Sequence, residues 1–467
     1  MKRGEILADV AIETAVAEGK GLARIEGKVL FVKNGLPGDI ANVKITNVKK
    51  DFAEGEIESV ISPSSYRQAP FCAHFGLCGG CKWQQATYEG QLHFKQNIVK
   101  EAFDRIGKFE YPGLEPILGA PSATYYRNKM EYTFSAKGWL TWDQINSGDE
   151  FERRVLGFHV PGGFASVINI DKCYLQDQRA DDIRNGLHKL AMERDFSFYN
   201  LRDKKGFLRN LIIRNTSINE WMVVLVVAEN DAVNINACME FLDNGFPFIT
   251  SLNYVINPKM NDTIYDLKVI NYKGKDHIIE NLNGVNYKIS PKSFFQTNSE
   301  QARFLYSKAM EMAEISGNET VYDLYTGTGS IALYFATKCK KVVGIEQIAE
   351  AIEDAKENAI LNNLDNADFY VGNVEDMFTT DFIAKNGAPD ILVTDPPRAG
   401  MHPRVIEVLR VAQPPRIVYI SCNPVTQARD IALLSDIYAV KKVLPVDMFP
   451  QTFHVENIAV LELKNTL

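Results

Sequence analysis

ETVYDLYTGTGSIALYFATK, residues 319–338, reads as a strand, a glycine loop and a helix in immediate succession. The apolar run ending in Asp323 has strand length. Gly327-x-Gly329 then lets the backbone approach a ligand where the helix begins. The next apolar run, KKVVGIE (340–346), ends in Glu346, placing an acid 19 residues after Gly327. An acid at that distance can take both hydroxyls of a ribose. Strands and helices keep alternating from 281 to 467, so the C-terminal part is expected to be an α/β domain of Rossmann-like order.

Taken alone, the G-x-G-x-x-A spacing also suits NAD. Two features turn the reading towards S-adenosylmethionine. Asp323 stands just before the glycines, and the fourth strand closes in ILVTDPPR (391–398), which carries Asp395. Asn373, in FYVGNVED after the third strand, suits the adenine edge. Further on, IVYISCNPVTQARD (417–430) presents Cys422 just past the end of a buried strand, because Pro424 breaks the ladder. Open α/β sheets hold their ligands at that edge. A free cysteine is more often a small buried hydrophobe; the company of Cys422 argues for chemistry, whereas Cys238 and Cys339 have none and read as core.

A chain of 467 residues exceeds one compact core, so roughly two to four domains are expected. Residues 1–62 alternate apolar runs (28–33, 40–45, 54–60) with Gly, Pro and Asp turns, as a small OB-like β-barrel does. APFCAHFGLCGGCKWQQ (69–85) follows, with Cys72-x5-Cys78-x2-Cys81, and Cys173 in INIDKC supplies a fourth thiol. Four thiolates fit a [4Fe–4S] cluster or zinc; the three-plus-one spacing favours the cluster, while His74 keeps zinc open. Residues 88–106 read as an amphipathic helix with Val99, Ala102, Phe103 and Ile106 on one face, a packing element against the catalytic domain. A β-rich central domain is expected over 63–280, and the remainder, 281–467, is the catalytic domain.

The net charge of −8 argues against a general nucleic-acid binder, so any RNA needs local basic patches. Arg127, Lys129, Lys204 and Lys205 are the candidates for phosphate contacts. Arg209 and Arg214 flank the same apolar strand, and part of that patch reads as solvated surface. No apolar run has membrane-spanning length and nothing resembles a cleaved leader, so a cytoplasmic protein without a membrane or an obligate protein partner is expected.

Five ordered motifs resemble the RNA uracil-5-methyltransferases: SPKSFFQTN (290–298), DLYTGTGSIAL (323–333), DPPRAG (395–400), SCNPVTQARD (421–430) and DMFPQTFHVE (447–456). Gly19, Gly21, Val29, Phe31 and LPGD (36–39) are similar to a TRAM domain, an RNA-binding barrel. Barrel and cysteines together resemble the 23S ribosomal RNA branch of the family; a transfer-RNA methylase is the alternative. The resemblance implies S-adenosylmethionine held by Gln296, Tyr325, Gly327, Gly329, Ser330, Glu346, Asn373 and Asp395. It also implies Cys422 as nucleophile, Glu456 as general base and Asp395 in the active site. The loop departs from the family where Thr326 and Ser330 replace the frequent Cys and Asn; Ser330 still offers a hydroxyl. More distant alternatives are an amino-group methyltransferase, which usually carries an aromatic residue where Arg398 stands, and a non-catalytic RNA-binding protein.

Overall fold

Short runs punctuated by turns build the N-terminal sheet: β1 (Ile6–Ala11), β2 (Thr14–Ala15), β3 (Gly21–Ile25), β4 (Lys28–Lys33), β5 (Ile40–Val48) and β6 (Phe52–Ser62). The structure, a computed structural model, describes residues 1–464 apart from Phe164. The six strands pair in the order β1-β5-β6-β4-β3-β2. Alternate residues (Leu30 and Val32, Val43 and Ile45) turn inward to form a small separate core.

Helix α1 (Tyr88–Ala102) starts at Thr87, whose hydroxyl accepts from Gly90 N. Val99, Ala102 and Phe103 bury in one core with Tyr322, Leu324 and Tyr419 from the C-terminal region. Ile106, expected on that stripe, is 48% exposed. The cause is a π turn over Phe103–Gly107, closed by Lys108 N on Phe103 O at 3.0 Å, whose extra residue rotates Ile106 off the face.

The central region contains β7 (Lys129–Ser135), α2 (Trp142–Ser147), β8 (Val155–His159), β9 (Val167–Asn169), α3 (Gln178–Glu193), β10 (Leu208–Asn215), β11 (Trp221–Val227), α4 (Ala232–Gly245), β12 (Ser251–Ile256) and β13 (Val269–Gly274). Its strands run in the order β13-β12-β11-β10-β7-β8-β9. The expectation of a β-rich region overlooked α3 and α4, which cover one face of the sheet. Along β11, Val223, Leu225 and Val227 face those helices, while Met222, Val224 and Val226 join the core of the C-terminal region. Period-two alternation thus ties two sheets together through one strand. Arg209 and Arg214 correct a second expectation: both are buried. Arg209 spreads its guanidinium over the carbonyls of Asn257 and Asn261 and the carboxylate of Asp262, and lies 4.2 Å from the Tyr199 ring centroid.

After a hairpin of β14 (Ile278–Leu282) and β15 (Val285–Ile289), the chain alternates α5 (Ser299–Ala313), β16 (Thr320–Leu324), α6 (Ser330–Ala336), β17 (Lys341–Glu346), α7 (Ala349–Leu361), β18 (Ala367–Val371), α8 (Val374–Met377), α9 (Thr380–Asn386), β19 (Ile391–Thr394), α10 (Pro403–Ala412), β20 (Arg416–Ser421), α11 (Pro424–Ala432), β21 (Tyr438–Val446) and β22 (Glu456–Leu463). The sheet order is β18-β17-β16-β19-β20-β22-β21, parallel from β18 to β20 and antiparallel at β22. Strand order reverses between β16 and β19, which opens a crevice at their C-terminal ends. Among the described residues no helix is long and apolar enough to cross a membrane.

Candidate active site

The crevice is a cavity of about 1550 Å3. Gln296, Tyr325, Gly327, Ser330, Glu346 and Asp395 line it. β16 carries Asp323, which is buried beneath the glycine loop and accepts from Thr326 Oγ1 at 2.6 Å. Burial, reinforced by Asp395 and Glu346, pushes the Asp323 carboxyl up to about 7. Tyr325 (φ 68°), Gly327 (φ 55°) and Gly329 (φ 78°) adopt left-handed backbone that turns the chain around this space. Glu346 accepts from Gly327 N at 3.2 Å and Ile348 N at 3.0 Å, so the acid and the glycine loop hold each other in place. Ser330 takes a hydrogen bond from Tyr306 OH at 3.1 Å, which leaves its own proton free to donate. A glycine cradle with the Glu346 carboxylate beside it, both lining the cavity, fits a nucleoside cofactor. Asn373 stands apart: it is exposed, and its amide donates to Asp376 at 3.2 Å, while Val374 and Glu375 line the cavity instead.

The reactive half lies beyond Asp395. β20 and β22 pair in antiparallel register with Ser421 opposite Asn457. The next position on each chain brings Cys422 opposite Glu456, so two groups 34 residues apart meet at one sheet edge. Burial pushes the Cys422 thiol up to about 11, and Glu456 and Asp395 add to it; the charge of Arg398 and a hydrogen bond from it oppose the rise. Glu456 is buried and Asp395, half-buried, stands beside it at the cavity wall; desolvation drives both carboxyls well above the ordinary range. Their titrations belong to the pair rather than to either residue.

Two groups not assigned from the sequence complete this half. Arg398 contacts Cys422 and donates to His454 Nδ1 at 2.6 Å. Burial and the cations Arg398 and Lys95 depress His454 to about 4, so it is a neutral acceptor near pH 7. The loop carrying Arg398 is fastened to α11, since Asn423 Nδ2 and Thr426 Oγ1 donate to Arg398 O at 2.9 and 3.2 Å. Asp430 accepts from Met401 N and Tyr419 OH at 2.8 and 2.7 Å. The sequence signal was present, in DPPR and in HVE, but neither residue has a role that spacing alone suggests.

The cysteines occupy a separate neighbourhood. Cys72, Cys78 and Cys81 lie on the loop after the barrel, and Cys173 follows β9. Burial pushes Cys81 up to about 12 and Cys173 to about 11, with nearby cysteines adding to each. Gly79 passes close to β8: its N–H donates to His159 O at 3.0 Å, and a Cβ there would meet that oxygen at 2.7 Å. His74 is spoken for, accepting from Asp171 N at 3.3 Å. The all-thiol chemistry of the set fits an iron–sulfur or zinc centre, yet among the described residues no group of three or more His, Cys, Asp or Glu side chains is arranged to hold a metal ion. Of the candidate phosphate contacts, Lys204 and Lys205 are exposed, whereas Arg127 and Lys129 are half-buried.

Residues 270–464 match the model of the tRNA (Uracil-5-)-methyltransferase family, and residues 3–57 match the TRAM domain. An RNA methyltransferase of Bacteroides thetaiotaomicron is 49% identical over 96% of this chain and 100% of its own length. The chain belongs to the RNA uracil-5-methyltransferase family. Another such relative, an RNA methyltransferase of Porphyromonas gingivalis, is 47% identical over 97% of this chain and 99% of that one. Among solved structures, the tRNA (uracil-54, C5)-methyltransferase of Pyrococcus abyssi in complex with S-adenosyl-L-homocysteine superposes with a TM-score of 0.74 at 29% identity. It covers 97% of this chain and 100% of its own. The protein is thus an RNA uracil-5-methyltransferase with the S-adenosylmethionine-dependent fold and a TRAM barrel.

Proposed function

We propose that the protein methylates carbon 5 of a uridine in 23S ribosomal RNA, with Cys422 as nucleophile and Glu456 as general base. The observation that carries this reading is the meeting of Cys422 with Glu456 across β20 and β22, beside the cavity that Asp395 lines. Carbon 5 of uracil is too weak a nucleophile to take a methyl group unaided. Cys422 loses its proton to solvent and its thiolate bonds to carbon 6, moving the ring π electrons onto oxygen 4 as an enolate. S-adenosylmethionine supplies an electrophilic methyl group to the carbon 5 so activated and departs as a neutral thioether. Carbon 5 then bears both methyl and hydrogen. Glu456 takes that proton, the freed electron pair restores the ring double bond, and the carbon–sulfur bond breaks to return the thiolate. A carboxyl held above its ordinary range suits a base that must pick up a proton near neutral pH. Arg398, held by His454, steadies the negative sulfur, and Asp395 orients the uracil through N3.

Gln296, Tyr325, Gly327, Gly329, Ser330, Glu346 and Asp395 hold the cofactor in this reading. Asn373 joins them only by releasing Asp376. The target base leaves its stack to reach both cofactor and thiol. The barrel (residues 1–62) and the region 63–280 hold the RNA backbone. Cys72, Cys78, Cys81 and Cys173 carry a [4Fe–4S] cluster that staples the region, with zinc as the alternative. Iron and acid-labile sulfide in anaerobically purified protein support the cluster; zinc alone replaces it.

Transfer RNA is the second reading of the substrate, because the match to the Pyrococcus abyssi enzyme runs the length of both chains. The barrel therefore does not separate the two. RNA carrying tritium at carbon 5 of uracil tests reaction and substrate together. Tritium released to water from 23S fragments supports the proposal; release only from transfer RNA moves the substrate; methyl incorporation without release overturns the carbon 5 chemistry.

A further inference from the structure

We infer that helix α1, through Lys95 and Gln91, positions the loop that carries the base of the reaction; this rests on the proposed role of Glu456. The loop runs from the end of β21 at Val446 to the start of β22 at Glu456. Surface loops ordinarily leave their carbonyls to water. Here four consecutive carbonyls are each taken by a donor from outside the C-terminal strands. Asn298 Nδ2 donates to Met448 O at 2.9 Å, Lys95 Nζ to Phe449 O at 3.0 Å, and Tyr126 OH to Pro450 O at 2.8 Å. The backbone N–H groups of Lys82 and Trp83 both donate to Gln451 O, at 2.8 and 3.1 Å.

Side chains of α1 tighten this path at two further points. Lys95 Nζ reaches Asp447 Oδ1 at 2.5 Å, with both side chains fully buried. Gln91 grips Gln451 from two directions: its Nε2 donates to Gln451 Oε1 at 3.0 Å and its Oε1 accepts from Gln451 N at 2.8 Å. Gln451 needs holding, because it sits at φ 67°, a conformation unfavourable for a residue with a side chain. Gln91 and Lys95 are spaced i, i+4, so one buried stripe of α1 presents both groups to the loop. A buried ion pair is a poor stabiliser compared with apolar packing of similar volume. What it supplies here is geometry: the loop can take only the course its donors dictate. At the far end of that course stand His454, on Arg398, and Glu456, opposite Cys422.

The prediction separates positioning from mere folding. Lys95→Met and Gln91→Leu are made in the full-length protein and compared with wild type and Glu456→Gln. The readouts are S-adenosylmethionine affinity, the rate of Cys422 alkylation, turnover, and the amount of methylated protein–RNA adduct that survives denaturation. Loss of the base's alignment is expected to slow turnover about 100-fold and to let the adduct accumulate, as in Glu456→Gln, while cofactor affinity and alkylation stay as in wild type. Gln91→Leu keeps the charge pair and carries the test if Lys95→Met loses its cofactor site. Adduct in Glu456→Gln but none in a cofactor-binding clamp variant overturns the positioning role. No adduct in Glu456→Gln overturns the reading of Glu456 itself, and this inference with it.

Discussion

Glu346 and Glu456 lie at one edge of one sheet and are buried alike, 9% and 6% exposed, yet their surroundings differ. Glu346 receives two backbone N–H groups, from Gly327 and Ile348. Glu456 is pressed against Asp395, and burial drives its carboxyl upward. In the first environment backbone donors orient the carboxylate, which suits a hold on ribose hydroxyls; in the second, burial makes a charge costly, which suits a group that takes up a proton. Residue type and burial are shared, so the proposed difference in role rests on backbone donors on one side and a second carboxyl on the other.

The sharpest way to break that contrast is to remove the thiol on the reactive side. Cys422→Ala is expected to reduce methyl transfer to background while leaving cofactor affinity intact, read by labelled-methyl incorporation and calorimetry. Glu456→Gln comes next: turnover falls about 100- to 10,000-fold, and a methylated adduct with RNA collects on denaturing gels. Normal turnover in that variant contradicts its assigned role. On the other side, Glu346→Gln is expected to weaken S-adenosylmethionine binding about 10- to 100-fold, with kcat at saturating cofactor unchanged. A fall in kcat instead would erase the division of labour.

The smallest effect concerns stability. A carboxyl whose value is raised in the folded protein stabilises it fully below the ordinary glutamate range and loses that contribution as pH rises through the raised value. Glu456→Gln is therefore expected to melt with wild type at acidic pH and above it at alkaline pH, by on the order of 2–4 °C. A gap that shrinks with rising pH contradicts a buried, proton-holding Glu456.

The alternation of period and the glycine loop made the C-terminal fold legible, because its inner strands β16, β17, β19 and β20 are nearly continuous buried, largely apolar runs. α3 is hard to read from sequence, since its buried face is interrupted by Asp181 and Arg184, which pair inside the core at 2.6 Å. Arg209 and Arg214 misled for the same reason: charge in a sequence suggests solvent, and only the fold supplies buried carbonyls to satisfy it. Cys422 and Glu456 were named through motifs. Their meeting depends on β22 inserting antiparallel beside β20, a pairing between segments 35 residues apart that local pattern does not encode. Lys95 and Gln91 were hidden likewise, because their partners lie over 350 residues away.

The most direct measurement is a covalent trap. The protein and S-adenosylmethionine are incubated with 5-fluorouridine-substituted fragments of 23S ribosomal RNA and, separately, of transfer RNA. Fluorine cannot leave as a proton does, so methylation through a carbon 6 adduct stalls with the RNA bound to sulfur. A denaturation-resistant adduct with the ribosomal fragment, absent in Cys422→Ala, is the expected result. An adduct with transfer RNA alone keeps the chemistry and changes the substrate. No adduct with either RNA, from protein that binds its cofactor, contradicts Cys422 as the nucleophile.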